Sequence, residues 1–380
     1  MNPTSERILV RGVNWLGDAV MATPALMRLR EANPAARITL LTHEKLADLW
    51  TNHPSVDAVL TFARRDGIWS VAQQLRAGRF HLGLVLPNSL RSALELRLAG
   101  IPRRVGYARP WRNWLLTQRI EPRTGFEEMR KRPVDEIKRL VAANSGEDSR
   151  SSPHRPQLRD AHHCHLYLHL MAALGANPEP LSPRLEVSAE ELAAVKQRFS
   201  LAATVPWFGL NPHAEYGPAK RWPPERFLAA AADAQKRTNC RWLILGGPAD
   251  VALATEMANA LGKQFPSAPP LNLAGRTTLR ELCAVLKLCQ VLLTNDSGPM
   301  HVAAALGTPV VAIFGSTSPE MTGPGLPGGS THHLLKCHPA CAPCFRRVCP
   351  IDLRCMTGIS VECVVDAVGK AFALAPSRPL

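Results

Sequence analysis

The sequence predicts an α/β protein of two facing Rossmann-like domains with parallel sheets, and makes the interdomain cleft the expected ligand site. Three observations carry this expectation. The chain has 380 residues, more than one ordinary compact core accommodates. Short apolar runs of strand character alternate with helical segments, the pattern of a parallel sheet covered on both faces. The pattern also begins twice, each time as strand, polar loop and helix.

In the first half, RILVRGV (7–13) reads as a strand. AVMATPALMRLREAN (19–33) follows as one helix, with Met21, Ala25 and Leu29 on a common face. Asn33-Pro34 ends it, ITLLT (38–42) is a second strand and FHLGLVLPN (80–88) a third, leading into helical SALELRLAG. Residues 141–160, rich in Ser, Asp, Arg and Pro, read as an exposed loop, and a helix spans 162–174. The proline-punctuated segment ANPEPLSPRLEVSAEE sets a boundary, giving a first domain of residues 1–185 and a second of 186–359. The second domain restarts with the strand of PWFGLNP and the helix PPERFLAAAADAQKR, then the strand of CRWLILGG and the helix ATEMANALG. TTLRELCAVLKLC is a helix opened by Thr278, with Glu281 completing a capping box. QVLLT and VVAIFG are strands on either side of a polar turn.

Composition narrows the function classes. Apolar residues make up 46% and charged residues 20% of the chain, a globular balance. No apolar run approaches the ~20 residues that cross a bilayer, and MNPTSERILV lacks the layout of a signal peptide; a cytoplasmic protein is expected. The net charge is +14, from 45 Lys and Arg against 31 Asp and Glu, which favours an anionic partner. The arginines are scattered, as in Arg64-Arg65, Arg103-Arg104 and RPWRNW (109–114). No nucleic-acid motif accompanies them, and a merely soluble basic surface explains most of them equally well.

The turn in TNDSGPMHVAAALGTPVVAIFG (294–315) concentrates chemistry. Asp296, Ser297 and Gly298 fall at the carboxyl end of a strand, where open α/β sheets bind ligands. Gly298 suits a helix N-cap and Pro299 the first helical position. The first-turn amides and the helix dipole make an anion site, with His301 in the same turn. Asp296 and Ser297 as simple caps are the plainer reading. A second loop, NPHAEYGPAKRWP (211–223), sits at the equivalent strand end and brings Lys220 and Arg221 toward the same anion. Two convergent loops favour a diphosphate cradle. In GGPAD (246–250), Asp250 suits either a ribose hydroxyl or the cap of the next helix. No D-x-D occurs, so lysine, histidine and helix amides, not a carboxylate-held metal, are expected to stabilise a leaving diphosphate. In the first domain, Gly17-Asp18 lies between the first strand and helix, where a carboxylate suits a general base or an ordinary N-cap.

Together, Gly17-Asp18 with ATPAL, LPNSLRSAL (86–94), AGIPRRVGY (99–107), the AEYGPAKRWP loop and the 294–315 segment resemble glycosyltransferase family 9, the heptosyltransferases of lipopolysaccharide core synthesis. The resemblance covers most of residues 7–320. It implies an inverting glycosyltransferase of the GT-B fold with ADP-L-glycero-D-manno-heptose as donor. The implied acceptor is the first heptose of the inner core on heptosyl-Kdo2-lipid A. By that similarity Asp18 is the catalytic base, Lys220, Asp296, Ser297, Gly298 and His301 handle the diphosphate, and Asp250 holds the ribose. Asn88, Ser89 and Arg91, with Arg64 and Arg65, would face the phosphate-rich acceptor. The implied partners include the anionic inner face of the cytoplasmic membrane, with no nucleic acid and no catalytic cofactor. GT-B enzymes usually run their last helix back across the first domain, which makes 360–380, with its helix at 360–374, the returning segment.

Ten cysteines remain. Cys164, Cys240, Cys283 and Cys289 lie in apolar patterns and read as core thiols. Cys337, Cys341, Cys344, Cys349, Cys355 and Cys363 crowd into 337–363. For the first five the options are a structural zinc, an iron–sulfur centre, or reduced thiols packing a loop. Three other functions stay open: another heptosyltransferase of the family, a GT-B-like sugar-nucleotide epimerase, and a non-catalytic nucleotide-binding protein. The epimerase needs a further acid pair that the sequence lacks.

Overall fold

A computed structural model describes residues 6–143, 161–202, 205–326 and 331–375. The expected loop at 141–160 lies, from 144 on, outside the described residues. The chain divides into two compact units, one of residues 1–126 and 163–185, the other of 127–162 and 186–380.

The first unit opens with β1 (Arg7–Arg11), α1 (Leu16–Met21), α2 (Thr23–Ala32), β2 (Arg37–His43) and β3 (Ala58–Phe62). It continues through α3 (Ile68–Ala77), β4 (Leu82–Val85), α4 (Leu90–Leu98), β5 (Arg103–Tyr107) and β6 (Gln118–Ile120). α5 (Val134–Ala143) belongs to the second unit, and α6 (His163–Ala172) returns to the first, packing on α2 and α1. The sheet is parallel, in the order β3-β2-β1-β4-β5-β6. The single helix expected over 19–33 is two, broken at Ala22. Pro24 takes the first turn of the second, where its missing N–H leaves no bond unmade.

The second unit adds α7 (Ala189–Arg198), β7 (Trp207–Asn211), α8 (Pro224–Thr238), β8 (Arg241–Ile244), α9 (Val251–Gln264) and β9 (Leu271–Asn272). Then come α10 (Leu279–Leu288), β10 (Val291–Asn295), α11 (Gly298–Ala305), β11 (Val310–Phe314), α12 (Pro319–Thr322) and β12 (His333–Lys336). Short α13 (Arg354–Thr357) and α14 (Val361–Ala373) end it. Its sheet order, β12-β11-β10-β7-β8-β9, is the first sheet's order repeated. In both sheets the order reverses beside the unit's first strand, between β1 and β4 and between β7 and β10. Those crevices are where such sheets bind ligands.

Two expectations about domain membership change. Residues 127–143, expected in the first domain, pack within the second unit, where buried Ile137 meets Cys341 and Cys344. The last helix, expected to return to the first domain, also packs within the second unit. Val364, Val365, Val368 and Ala371 of α14 are buried with the core beneath β10 and β11, and the helix lies on α8. Its apolar stripe matches that core, which holds it in place.

Candidate active site

In the second unit, parallel pairing sets Asn211, the last residue of β7, opposite Thr294 of β10. The Asn211 side-chain amide donates to Thr294 Oγ1 at 3.0 Å and to Ser297 Oγ at 2.9 Å. Ser297 is the N-cap residue of α11, one position earlier than the expected Gly298, yet its hydroxyl makes no cap bond. The strand-end network holds that hydroxyl instead, so it does not cap the first-turn amides of Gly298 and Met300. Asn295 closes the floor, accepting from Trp222 N at 3.0 Å and donating to Pro212 O at 2.7 Å. The carboxylate beside it is held through one oxygen. Asp296 Oδ2 accepts from Lys220 Nζ at 2.5 Å and from Thr317 Oγ1 at 2.5 Å. The residue is 4% exposed.

Lys220 is thus aimed by its partner. An ammonium has three donors and Asp296 takes one, leaving two for an incoming anion. The Tyr216 ring, 4.7 Å from Nζ, adds a cation–π contact. The loop carrying Lys220 is pinned from a distant segment: Ala219 N donates to Arg347 O at 3.0 Å and Tyr216 OH to Phe345 O at 2.7 Å. Gly217, at φ +151°, lets the two backbones meet, since a Cβ there would stand 2.5 Å from Arg347 O. His301 is buried rather than open at the mouth of the turn. Asp250 caps its own turn through Gly247 N (2.8 Å), while its other oxygen lies 2.9 Å from His213 Nδ1. Burial holds His213 below the usual imidazole range, against the pull of Asp250.

In the first unit, Asp18 is the third residue of α1, whose N-cap is Trp15. The plain capping role therefore does not apply, and its half-buried carboxylate faces α6. Oδ1 lies 3.7 Å from His163 Nδ1. Its charge adds to the burial that pushes the Cys164 thiol and the Tyr167 hydroxyl upward. Asn88 and Ser89 stand at the end of β4, across the same switch point. Asn88 Oδ1 accepts from buried Arg112 at 2.9 Å, and Ser89 caps α4 by accepting from Ser92 N at 3.2 Å. Arg91 is largely committed, to fully buried Glu95 at 2.8 Å and to Asp66 O at 2.7 Å. Arg11 holds the other oxygen of Glu95 at 2.9 Å. Arg64 and Arg65 are exposed.

Sequence reasoning missed Asn211, Asn295, Thr317 and His163. Only the first carried a signal, as the final residue of the strand entering the lysine loop. Of the five suspected metal ligands, Cys341, Cys344, Cys349 and Cys355 line one small cavity. Cys337 lies against Gly358, where an added Cβ would meet its Sγ at 2.6 Å. Among the described residues no group of three or more His, Cys, Asp or Glu side chains is arranged to hold a metal ion.

Residues 147–354 match the family model described as Glycosyltransferase family 9 (heptosyltransferase). The chain is 31% identical over 326 residues to lipopolysaccharide heptosyltransferase 2 of Salmonella typhimurium, covering 84% of this chain and 85% of that protein. The Escherichia coli K12 protein of the same name matches at the same identity and coverage. Among solved structures, E. coli ADP-heptose LPS heptosyltransferase II superposes with a TM-score of 0.75 at 25% identity, covering 97% of this chain and 98% of that one. The paired six-stranded parallel sheets are accordingly the GT-B fold. With the family model matching more than half its length, the chain belongs to glycosyltransferase family 9, the heptosyltransferases, and is a glycosyltransferase.

Proposed function

We propose that this enzyme is a lipopolysaccharide heptosyltransferase II. It moves L-glycero-D-manno-heptose, with inversion, from ADP-heptose to the first heptose of the inner core on heptosyl-Kdo2-lipid A. The observation that carries the reading is Lys220, aimed by buried Asp296 at the strand end where the uncapped first turn of α11 begins. That is a site for a departing diphosphate, in a chain whose relatives are named for heptose transfer to lipopolysaccharide.

The chemistry follows from these groups. Asp18 accepts the proton of the acceptor hydroxyl as its oxygen attacks the anomeric carbon. The bond from that carbon to the β-phosphate oxygen breaks, and its electron pair leaves with ADP. Charge on the diphosphate grows toward the transition state, so donors placed there act on the barrier more than on binding. Lys220 and the amides of Gly298 and Met300 supply those donors, in place of a metal ion, and one such donor typically contributes ~3 kcal/mol. Asp250, paired with His213 after β8, holds the ribose, a reading supported by its position at the end of a parallel strand. Asn88 and Ser89 face the acceptor, with exposed Arg64 and Arg65 toward its phosphates. Arg91 serves that surface chiefly by bracing Glu95.

The enzyme works at the inner face of the cytoplasmic membrane without spanning it. The net charge of +14 and the exposed Trp69, Trp111 and Trp114 support this. No helix among the described residues is long and apolar enough to cross a membrane. Incubation with ADP-heptose and heptosyl-Kdo2-lipid A should release ADP in step with acceptor consumed. ADP release that ignores the acceptor, or none with both substrates present, would refute the assignment.

A further inference from the structure

The segment between β12 and α13 has neither helix nor strand, yet it carries the backbone that pins the Lys220 loop. Long irregular segments need something besides regular hydrogen bonding to hold their shape. The apolar support here is slight: a small cluster of Ile137, Val141 and Ile351. The other members of that cluster are cysteines.

Cys341, Cys344, Cys349 and Cys355 all line one cavity, together with Arg354, Ser316 and Ala219. None is in a disulfide, and three of the four are buried. The remaining two cysteines of the tail stand apart: Cys337 packs against Gly358, and Cys363 is exposed in the first turn of α14. The cavity volume is about 10 Å³, on the scale of one water or one ion. Four thiols lining one space supply the ligand number and type of a tetrahedral sulfur site, which selects zinc or a single iron. The surrounding charge fits as well. Four thiolates on a divalent ion carry a net charge of −2, and Arg354 lines the cavity. Arg132 donates to Ala340 O at 3.0 Å and Arg346 to Arg132 O at 2.9 Å, which brings two more guanidinium groups to the rim.

We infer that Cys341, Cys344, Cys349 and Cys355 bind one zinc ion, and that this knot holds the loop that presents Lys220. Binding replaces four S–H protons by one Zn2+, releases the protons to solvent, and involves no change of oxidation state. As they stand, the four side chains do not form a group able to hold an ion, so binding requires the thiols to turn into the cavity that all four residues line. From the knot the path to the site is continuous. Cys344 N and Phe345 N both donate to Ser316 O, at 3.1 and 2.7 Å. The next residue, Thr317, donates to Asp296. Phe345 and Arg347 accept from Tyr216 and Ala219, the neighbours of Lys220. The zinc is a positioning device; it touches neither substrate. Its effect on Lys220 rests on the function proposed above, whereas its presence does not.

The test uses the full chain, purified without chelator. Elemental analysis should give one zinc per chain and no acid-labile sulfide. Replacement by cobalt(II) should produce the thiolate charge-transfer and d–d bands of a tetrahedral sulfur site. Cys344→Ser and Cys349→Ser should lose the metal, while Cys363→Ser keeps it. Because a serine variant can misfold, the wild-type chain is also stripped slowly with a strong chelator. ADP affinity, read by calorimetry, should then fall about tenfold and recover on zinc addition. Iron or labile sulfide in place of zinc, metal well below one equivalent, or metal retained by both serine variants would overturn the site. Stoichiometric zinc whose removal leaves ADP binding unchanged would overturn the link to Lys220.

Discussion

Lys220→Ala separates a catalytic lysine from a structural one. In the native site Asp296 is 4% exposed and accepts from Lys220 and Thr317. Removing the lysine leaves a buried carboxylate with one neutral donor. Breaking a pair this deeply buried typically destabilises by about 3 kcal/mol, and losing a cationic donor at the diphosphate adds ~3 kcal/mol to the barrier, about two orders of magnitude in turnover. The two effects have different cures. Lys220→Ala combined with Asp296→Asn removes the stranded charge, so the urea midpoint should recover most of its loss, whereas turnover should stay low. Initial rates of ADP release and equilibrium urea unfolding, run on both single variants and the double, form one cycle. Recovery of turnover together with stability in the double variant would refute the catalytic role and leave Lys220 as a strut.

Three further outcomes follow from the geometry. Asp18→Asn should cut turnover by ~10²–10⁴-fold while calorimetry shows ADP binding unchanged; near-normal rates would remove Asp18 from the chemistry. Burial holds His332 down at about 4 from an ordinary 6.5, so the folded state resists its protonation and the unfolded state does not. Its contribution is present above the unfolded value and is lost as pH falls from about 6.5 to about 4. His332→Gln should flatten thermal stability across that window, and an unchanged slope would show the loss to come from other groups. Binding to anionic vesicles, measured by sedimentation, should weaken as salt rises past the ~10 Å Debye length of 0.1 M; salt-independent retention would contradict an electrostatic attachment.

The sequence revealed the centre of each sheet and little of its edges. β1, β2, β4, β7, β8, β10 and β11 are near-continuous apolar runs because a central parallel strand is covered on both faces. β3, β6, β9 and β12 are partly exposed, and β5 opens on two arginines, so none has that signature. The capping box of α10 was legible because its geometry is local: Thr278 Oγ1 and Glu281 each bond the other's backbone N–H. Local spacing also located the lysine loop and the Asp296 turn. What it does not encode is which side chains meet across strands. Asn211 meets Ser297 through the register of β7 on β10, and Thr317 meets Asp296 after β11 has turned back alongside β10. The placement of α14 was missed for a related reason: an apolar stripe shows that a helix packs, but not on which core.

The central claim is inverting heptose transfer, and the product's anomeric centre tests it most directly. The acceptor product formed with ADP-heptose is to be isolated, weighed, and its new glycosidic linkage assigned by NMR. A mass increased by one heptose, with anomeric configuration opposite to the donor's, is the predicted result, because one in-line displacement with Asp18 as base inverts that carbon. Retained configuration, or an acceptor recovered unchanged from an enzyme that binds ADP, would contradict the account.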